Sequence, residues 1–212
     1  MRDLYPMTDE SEVRDLIRDH PWATIVGTGP RSRPGPVAVH YPVLLDEDAD
    51  GIVLLSHLSR RDAKRLAFGS GELMVIIYGP QGYISPSWYG LPYAVPTWDF
   101  AVVHAYGKPE ALSTLENLAV LERLVDHFEG PLPNPFRLHV SPTNTAYAEK
   151  IVGGTVGYRL PVTRYEARDK MSQDKPAEVV DQIVAALRKP GPYHNEVLAD
   201  RVERHRDSGT GM

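Results

Sequence analysis

The sequence predicts an α+β domain, most simply a closed β-barrel with helices set between its strands. Three observations predict it. Short Val/Ile/Leu-rich runs recur, each bounded by Gly, Pro or Asp, which is the pattern of strands joined by turns. Helical periodicity is confined to separate segments between and after those runs. The 212-residue chain has no cysteine, so no disulfide framework, thiolate nucleophile, iron–sulfur cluster or Cys-based zinc site is available. A chain of this length buries roughly 70% of its unfolded surface without such staples. Six or seven strands are expected, and closing them into a barrel removes the sheet edges.

The elements follow in order. "TDESEVRDLIRDHP" places Val13, Leu16 and Ile17 on one stripe after Thr8 and stops before Pro21, a short helix. "WATIVGT" (22–28), "PVAVHYPVLL" (36–45) and "GIVLLSHL" (51–58) read as antiparallel strands, with a hairpin turn in "EDADG" (47–51). "SRRDAKRLAFG" (59–69) has the pattern of a helix ending at Gly69. "ELMVIIYGPQGYIS" (72–85) reads as strand, Gly-Pro turn, strand. "TWDFAVVHAYGKPEAL" (97–112) is the longest strand, broken at Gly107-Lys108-Pro109.

In "STLENLAVLERLVDHFEG" (113–130), Ser113 caps a helix and Glu116 sits at capping-box spacing. Leu115, Leu118, Leu121, Leu124, Val125 and Phe128 form its apolar stripe, and Gly130 ends it. "PLPNPF" (131–136) is a rigid linker and "TNTAYAEKI" (143–151) a short helix. "VGGTVGYRLPVTRYEA" (152–167) reads as a final strand. "KPAEVVDQIVAALRKPG" (175–191) is an amphipathic helix, and "PYHNEVLADRVERHR" (192–206) a polar terminal one. Residues 1–188 are expected to form a cofactor-binding domain, and residues 189–212 a helical or flexible extension ending in "DSGTGM".

No signal-peptide-like run opens the chain, and no stretch approaches 18 consecutive apolar residues. The expectation is a soluble, cytoplasmic protein without a membrane partner. The formal charge of −5 and the pI near 5.9 argue against nucleic acid as a partner, since dedicated binders carry a basic face.

Three of the eight histidines lie inside apolar strands: His40, His57 and His104. Strand alternation puts His57 with Val53 and Leu55, His104 with Phe100, Val102 and Tyr106, and His40 with Ala38 and Leu44. Each can be a hydrogen-bonded structural residue. Three in one small barrel also make one of them a candidate ligand to a metal or a haem iron. No HxH or HExxH spacing supports zinc. Directly after His57, "SRRDAKR" sets Arg60, Arg61, Lys64 and Arg65 at a helix start, which reads either as an anion site or as a solvated basic face. "SPSWYGLPYAVPTWDF" (85–100) carries five aromatics and three prolines in sixteen residues, against 8% aromatics overall. It reads either as a hydrophobic plug or as a wall preorganised by proline against a flat cofactor.

"GYISPSWYG" and "VPTWDFAVVHAYG" resemble the signature of the PaiB-like family of FMN-binding negative transcriptional regulators. "HPWATIV" (20–26), "VHYPVLL" (39–45), "SHLSRRDA" (56–63), "IVGGTVGYRL" (151–160) and "KMSQDK" (170–175) fall in the same order, from about Tyr5 to Leu187. The resemblance implies a split β-barrel with peripheral helices, of the FMN-binding and pyridoxamine-phosphate-oxidase type. It also implies a homodimer with its cofactor near the subunit interface. The chain departs from the family where Asn-Pro becomes Asp62-Ala63, where SQN-R becomes "SQDK" with Asp174 and Lys175, and where TWNY becomes "TWDF" with Asp99. A carboxylate is a poor neighbour for a phosphate, so these exchanges argue against an FMN phosphate.

The same scaffold resembles the piperazate synthases, which use haem b to close an N–N bond in N5-hydroxy-L-ornithine. This resemblance implies a haem-b-dependent cyclase of natural-product biosynthesis, with an amino acid as its small-molecule substrate. The alternative is an FMN-binding regulator without catalysis. His57 is then the candidate axial ligand to haem iron. Arg60, Arg61, Trp88, Tyr89, Trp98, Lys170, Ser172 and Gln173 are the candidate cofactor-binding residues. Asp99, Lys64 and His104 are the candidate acid–base residues.

Overall fold

A computed structural model describes residues 5–206; the "DSGTGM" end lies outside them. The fold is mixed α+β with two antiparallel sheets. Its elements are α1 (Glu10–Asp19), β1 (Trp22–Gly27), β2 (Val37–Pro42), β3 (Leu44–Leu45), β4 (Val53–Ser59), α2 (Arg60–Arg65), β5 (Leu73–Ile84), β6 (Thr97–Gly107), β7 (Glu110–Ala111), α3 (Thr114–Glu129), α4 (Pro142–Ile151), β8 (Thr155–Pro161), β9 (Arg164–Lys170), α5 (Ala177–Arg188) and α6 (Glu196–Arg204). One sheet has the order β2-β1-β5-β6-β9 and the other β3-β4-β8-β7. Among the described residues no helix is long and apolar enough to cross a membrane.

The chain divides into two compact units. The first comprises Val13–Ile77 and Val103–Glu166. In it α1 buries Val13, Leu16 and Ile17, the stripe its spacing predicts. β1 pairs with β2 from Trp22↔Pro42 to Gly27↔Val37, and β4 pairs with β8 through His57↔Gly157. α3 packs over β4 and β8. Its Ser113 hydroxyl accepts from the Glu116 N–H while the Glu116 carboxylate accepts from the Ser113 N–H, satisfying two donors left over at the helix start.

The second unit comprises Met1–Glu12, Tyr78–Val102 and Ala167–Met212. In it α5 buries Val179, Val180, Ile183, Val184 and Leu187, the predicted stripe, and α6 packs on α5. The aromatic segment opens with a short 3-10 turn, Pro86–Trp88, capped by Ser85 and packed on α5. Gly90 follows at φ +63°, with the Gln182 amide 3.1 Å from where a Cβ would stand. Both facts require glycine there.

Four segments differ from the sequence expectation. Residues 36–45 form two strands in different sheets, because the chain bends at Val43, whose N–H leaves the ladder for the Pro21 carbonyl (2.7 Å). Residues 152–167 likewise split into β8 and β9 at Val162-Thr163, whose N–H groups bond to Ile52 and Tyr106. Gly79-Pro80 is not a turn. β5 runs unbroken for 12 residues, and both residues are buried, so the in–out alternation slips by one there. α2 is shorter than its pattern, ending at Arg65, with left-handed Ala67 and Gly69 beyond it.

Candidate functional site

β4 carries His57 out of an otherwise buried run. Leu55, two residues earlier, packs with Leu44, Val120 and Leu124 under α3. His57 lies next along that face and opens into a cavity of about 380 Å³. Leu118, Leu121, Leu124, Val125 and Phe128 of α3, with Ala148 and Ile151 of α4, form its apolar wall. The stripe that amphipathicity predicts for α3 therefore lines a cavity. The residues that α3 buries are Asn117, Val120 and Leu124, whereas Leu115 is 78% and Phe128 49% exposed.

The His57 ring is half-buried on β4. Burial pushes its pKa below the ordinary histidine value. Its Nδ1 is buried with no hydrogen-bond partner. Tyr41 meets the ring edge-on, 5.5 Å between centroids at 80°. The Tyr41 hydroxyl is fixed in turn, accepting from the Ser59 N–H (3.0 Å) and donating to Asp62 Oδ2 (2.8 Å). The other polar residue of the wall, Glu129, accepts from the Phe136 N–H and so holds the 131–136 linker.

The start of α2 does not fit a phosphate. Asp62 Oδ2 accepts from Tyr41 and lies 3.1 Å from the Ser59 hydroxyl, and its Oδ1 accepts from Arg65 (2.9 Å). A carboxylate thus occupies the position where the basic cluster would receive an anion, on a helix of only six residues. Arg60 donates to the Gly153 carbonyl; Arg61 and Lys64 are exposed. His104 is half-buried on the Phe100 and Tyr106 side of β6. His40 is exposed and bonds to Thr24, away from the buried Leu44 with which alternation grouped it. No group of three or more His, Asp or Glu residues among those described is placed to hold a metal ion.

The remaining candidates gather in the second unit. Asp99 is fully buried on β6. Ser172, at φ +55°, donates to its Oδ2 (2.6 Å), and Lys170 Nζ lies 3.5 Å from its Oδ1. Burial raises the Asp99 pKa against the opposing pull of Ser172 and Lys170. Lys170 also donates to Thr97 and to the Trp98 carbonyl. The Gln173 side chain closes the turn after β9, accepting from Met171 N–H and donating to the Asp169 carbonyl (both 2.6 Å). Tyr89 is buried with its hydroxyl unpartnered, and the Lys175 ammonium lies 5.2 Å from its ring centre. The aromatic residues Trp88, Tyr89 and Trp98 are not part of the His57 cavity lining.

Sequence reasoning missed one site feature in each unit. In the first it missed Tyr41, the residue that orients His57. In the second it missed the buried Asp169–Arg201 pair (2.6 Å), joined by His205 at 2.8 Å. These partners stand 32 and 36 residues from Asp169, and no local spacing signals such a contact.

The family described as "Putative FMN-binding domain" matches residues 1–164. The Bacillus subtilis protein named protease synthase and sporulation protein PAI 2 is 28% identical over 201 residues, 94% of each chain. An uncharacterized Emericella nidulans protein is 24% identical over 240 residues, covering 95% of both. Among solved structures, an FAD and haem binding protein of Mycobacterium smegmatis aligns with a TM-score of 0.53 at 14% identity, over 78% of this chain and 73% of that one. A Bacteroides thetaiotaomicron protein described as a 5-nitroimidazole antibiotic resistance protein aligns at 0.54 with 12% identity, over 76% and 84%. These structures share the split-barrel fold of flavin-binding and pyridoxamine-phosphate-oxidase-like proteins.

Proposed function

We propose, from the premise that this chain belongs to the PaiB-like FMN-binding domain family, that it uses haem b rather than flavin and is an N–N bond-forming cyclase. The substrate is N5-hydroxy-L-ornithine and the product L-piperazic acid, as in the piperazate synthases that its sequence resembles. The observation that carries this reading is His57: a neutral imidazole with an unpartnered buried nitrogen, facing an apolar cavity. That donor set suits an axial ligand to haem iron. The leucine wall of α3 suits the face of a macrocycle, whereas the Asp62 carboxylate at the start of α2 would be a poor neighbour for a flavin phosphate.

In the ring closure the N5–O bond breaks and the Nα–N5 bond forms. The α-nitrogen supplies the electron pair, and the departing hydroxyl takes the N–O pair and a proton to leave as water. No external oxidant or reductant is needed. Bound haem would supply an iron centre that weakens the N–O bond. The chain's own residues do the rest. His57 would hold the iron, and Leu118, Leu121 and Leu124 line the cavity so as to exclude water. The α-ammonium must lose a proton to a base before it attacks. Lys64 and His104, in the unit of His57, are candidates for that base. Asp99, in the second unit, is the remaining acid–base candidate, a carboxyl whose burial keeps it protonated to higher pH than an ordinary one. The proposal extends to a cytoplasmic homodimer, in which the exposed Phe128, Phe136 and Ile151 edge of the cavity is covered by a second copy.

Hemin titration tests the reading. A sharp Soret band is expected on adding hemin to the full chain, lost or shifted in His57→Ala and retained in His40→Ala. N5-hydroxy-L-ornithine should then lose one water in the hemin-loaded protein. A yellow protein that releases FMN and forms no Soret band overturns the haem proposal and leaves an FMN-binding regulator without catalysis.

A further inference from the structure

We propose that the second unit carries a binding site for a small organic cation, a quaternary or alkylated ammonium, in the cleft lined by Tyr83, Trp98 and Tyr193. The proposal is independent of the haem reading.

The cleft has a volume of about 450 Å³. Its three rings are mutually inclined: Tyr83 to Trp98 at 6.4 Å and 61°, and Tyr83 to Tyr193 at 5.5 Å and 41°. Trp88 backs Tyr193 edge-on at 6.0 Å. Rings inclined in this way turn negative π faces toward one space from more than one direction, and a face is what attracts an onium group. Trp98 and Tyr193 are each 51% exposed, so a large part of both rings remains open to a ligand.

The Trp98 indole N–H and the Asn195 amide are committed elsewhere. Trp98 Nε1 donates to Gln81 Oε1 (3.3 Å), and Asn195 Nδ2 donates to the Gln81 carbonyl (3.1 Å). Asn195 Oδ1 accepts from the Leu198 N–H (3.0 Å) as the cap of α6. The open ring faces of Trp98 and Tyr193 are available for recognition. Arg164 stacks over Tyr106 and Lys175 lies over Tyr89, both outside this cleft.

The wall is also built rather than loose. The 189–195 loop that carries Tyr193 is tied by Asn195 N–H to the Leu187 carbonyl (2.8 Å) and by His194 N–H to Gly191 (3.2 Å). Gly82 admits Leu198 of α6, whose Cδ2 stands 2.8 Å from where a Cβ would be. The start of α6 alone would favour an anion, but Glu196 in its first turn offsets that. The net charge of −5 adds to the preference for a cation.

The test uses choline as the probe and 3,3-dimethylbutan-1-ol, its neutral isostere, as the control, with isothermal titration and tryptophan fluorescence on the full chain. Choline is expected to bind about tenfold tighter than the alcohol, the margin that a cation–π contribution of ordinary size supplies. Tyr193→Phe should keep that preference and Tyr193→Leu, which keeps apolar bulk without a ring, should lose it. Equal affinity for the two probes, no binding of either, or a choline preference surviving in Tyr193→Leu overturns the proposal. The wild-type comparison decides even where a variant fails to fold, and none of these readouts depends on whether hemin binds.

Discussion

His57 and Asp99 are both polar side chains set into apolar strands, one in each unit, yet their surroundings diverge. Around His57 the neighbours are leucines and an inclined tyrosine, and the buried nitrogen has no partner. Around Asp99 the neighbours are Ser172 and Lys170. A short distance along β9 the buried Asp169 is matched by Arg201 and His205. A buried polar group is normally satisfied, because an unmet hydrogen bond costs about 1–3 kcal/mol. Each unit leaves some buried polar atoms unmet, among them Asn117 Oδ1 and the Tyr158 hydroxyl in the first and the Tyr89 hydroxyl and Asp99 Oδ1 in the second. His57 differs from these in that its side chain lines an open apolar cavity, which is where an external partner for an imidazole is expected. The contrast separates polar residues that hold the fold from one that is available for chemistry.

The largest effect is expected where the saturated region is broken. Arg201→Met leaves the Asp169 carboxylate buried with only His205 to meet it, and should cost about 3–5 kcal/mol in denaturant melts. Replacing both, Asp169→Leu with Arg201→Met, should recover most of that loss, since paired removal leaves no stranded charge. Asp169 has a lowered folded pKa, because the bonds from His205 and Arg201 outweigh the opposing effect of burial. Its stabilising contribution is therefore present above the unfolded value of 3.8 and is lost as pH falls toward the folded one. In Arg201→Met the acid limb of the stability profile should flatten. In the other region Leu124→Ala should cost less, about 2–3 kcal/mol. Leu124 packs on Leu44, Leu55 and Val120 on one side but borders the cavity on the other, where its neighbours have room to adjust. If Leu124→Ala proves the costlier of the two, the second unit is not the one held by polar bonding.

The same contrast explains what could be read from the sequence. His57 was legible because a lone histidine interrupts a run of Val and Leu, and strand alternation placed it beside Leu55. The capping box of α3 and the stripe of α5 were legible because both depend on spacings within one element. The stripe of α3 was legible as apolar but not as a cavity wall, since periodicity records which residues share a face and not what stands opposite. Gly79-Pro80 misled because these residues usually end strands, and here the strand absorbs them through a slip in alternation. The bends at Val43 and Val162 were hidden because both flanks are good strand sequence. Asp62 could be recognised as a departure from the family, but its role depends on Tyr41, 21 residues away. Asp169 with Arg201 and His205 had no local signal, since the contact is made only when α6 docks.

Asp99→Asn gives the smallest expected change and the finest discrimination. Asp99 and Asp169 are buried carboxyls of the same unit with opposite displacements. Burial raises Asp99 above the usual 3.8, while Asp169 is held below it. Below pH 3.8 Asp99 is protonated in both folded and unfolded chains and carries no penalty. As pH rises from there toward the folded value, only the unfolded chain ionises freely, and stability falls. Asparagine keeps the shape and the acceptor for Ser172 but cannot ionise. The variant should therefore match the wild type below pH 3.8, become the more stable of the two as pH rises, and hold a constant advantage once the folded Asp99 has ionised. Urea melts across that range would show it. A variant that instead becomes the less stable of the two as pH rises would mean that Asp99 is paired with the Lys170 ammonium as a full ion pair. Asp99 would then belong with Asp169 as a structural charge rather than with His57 as a group available for proton transfer.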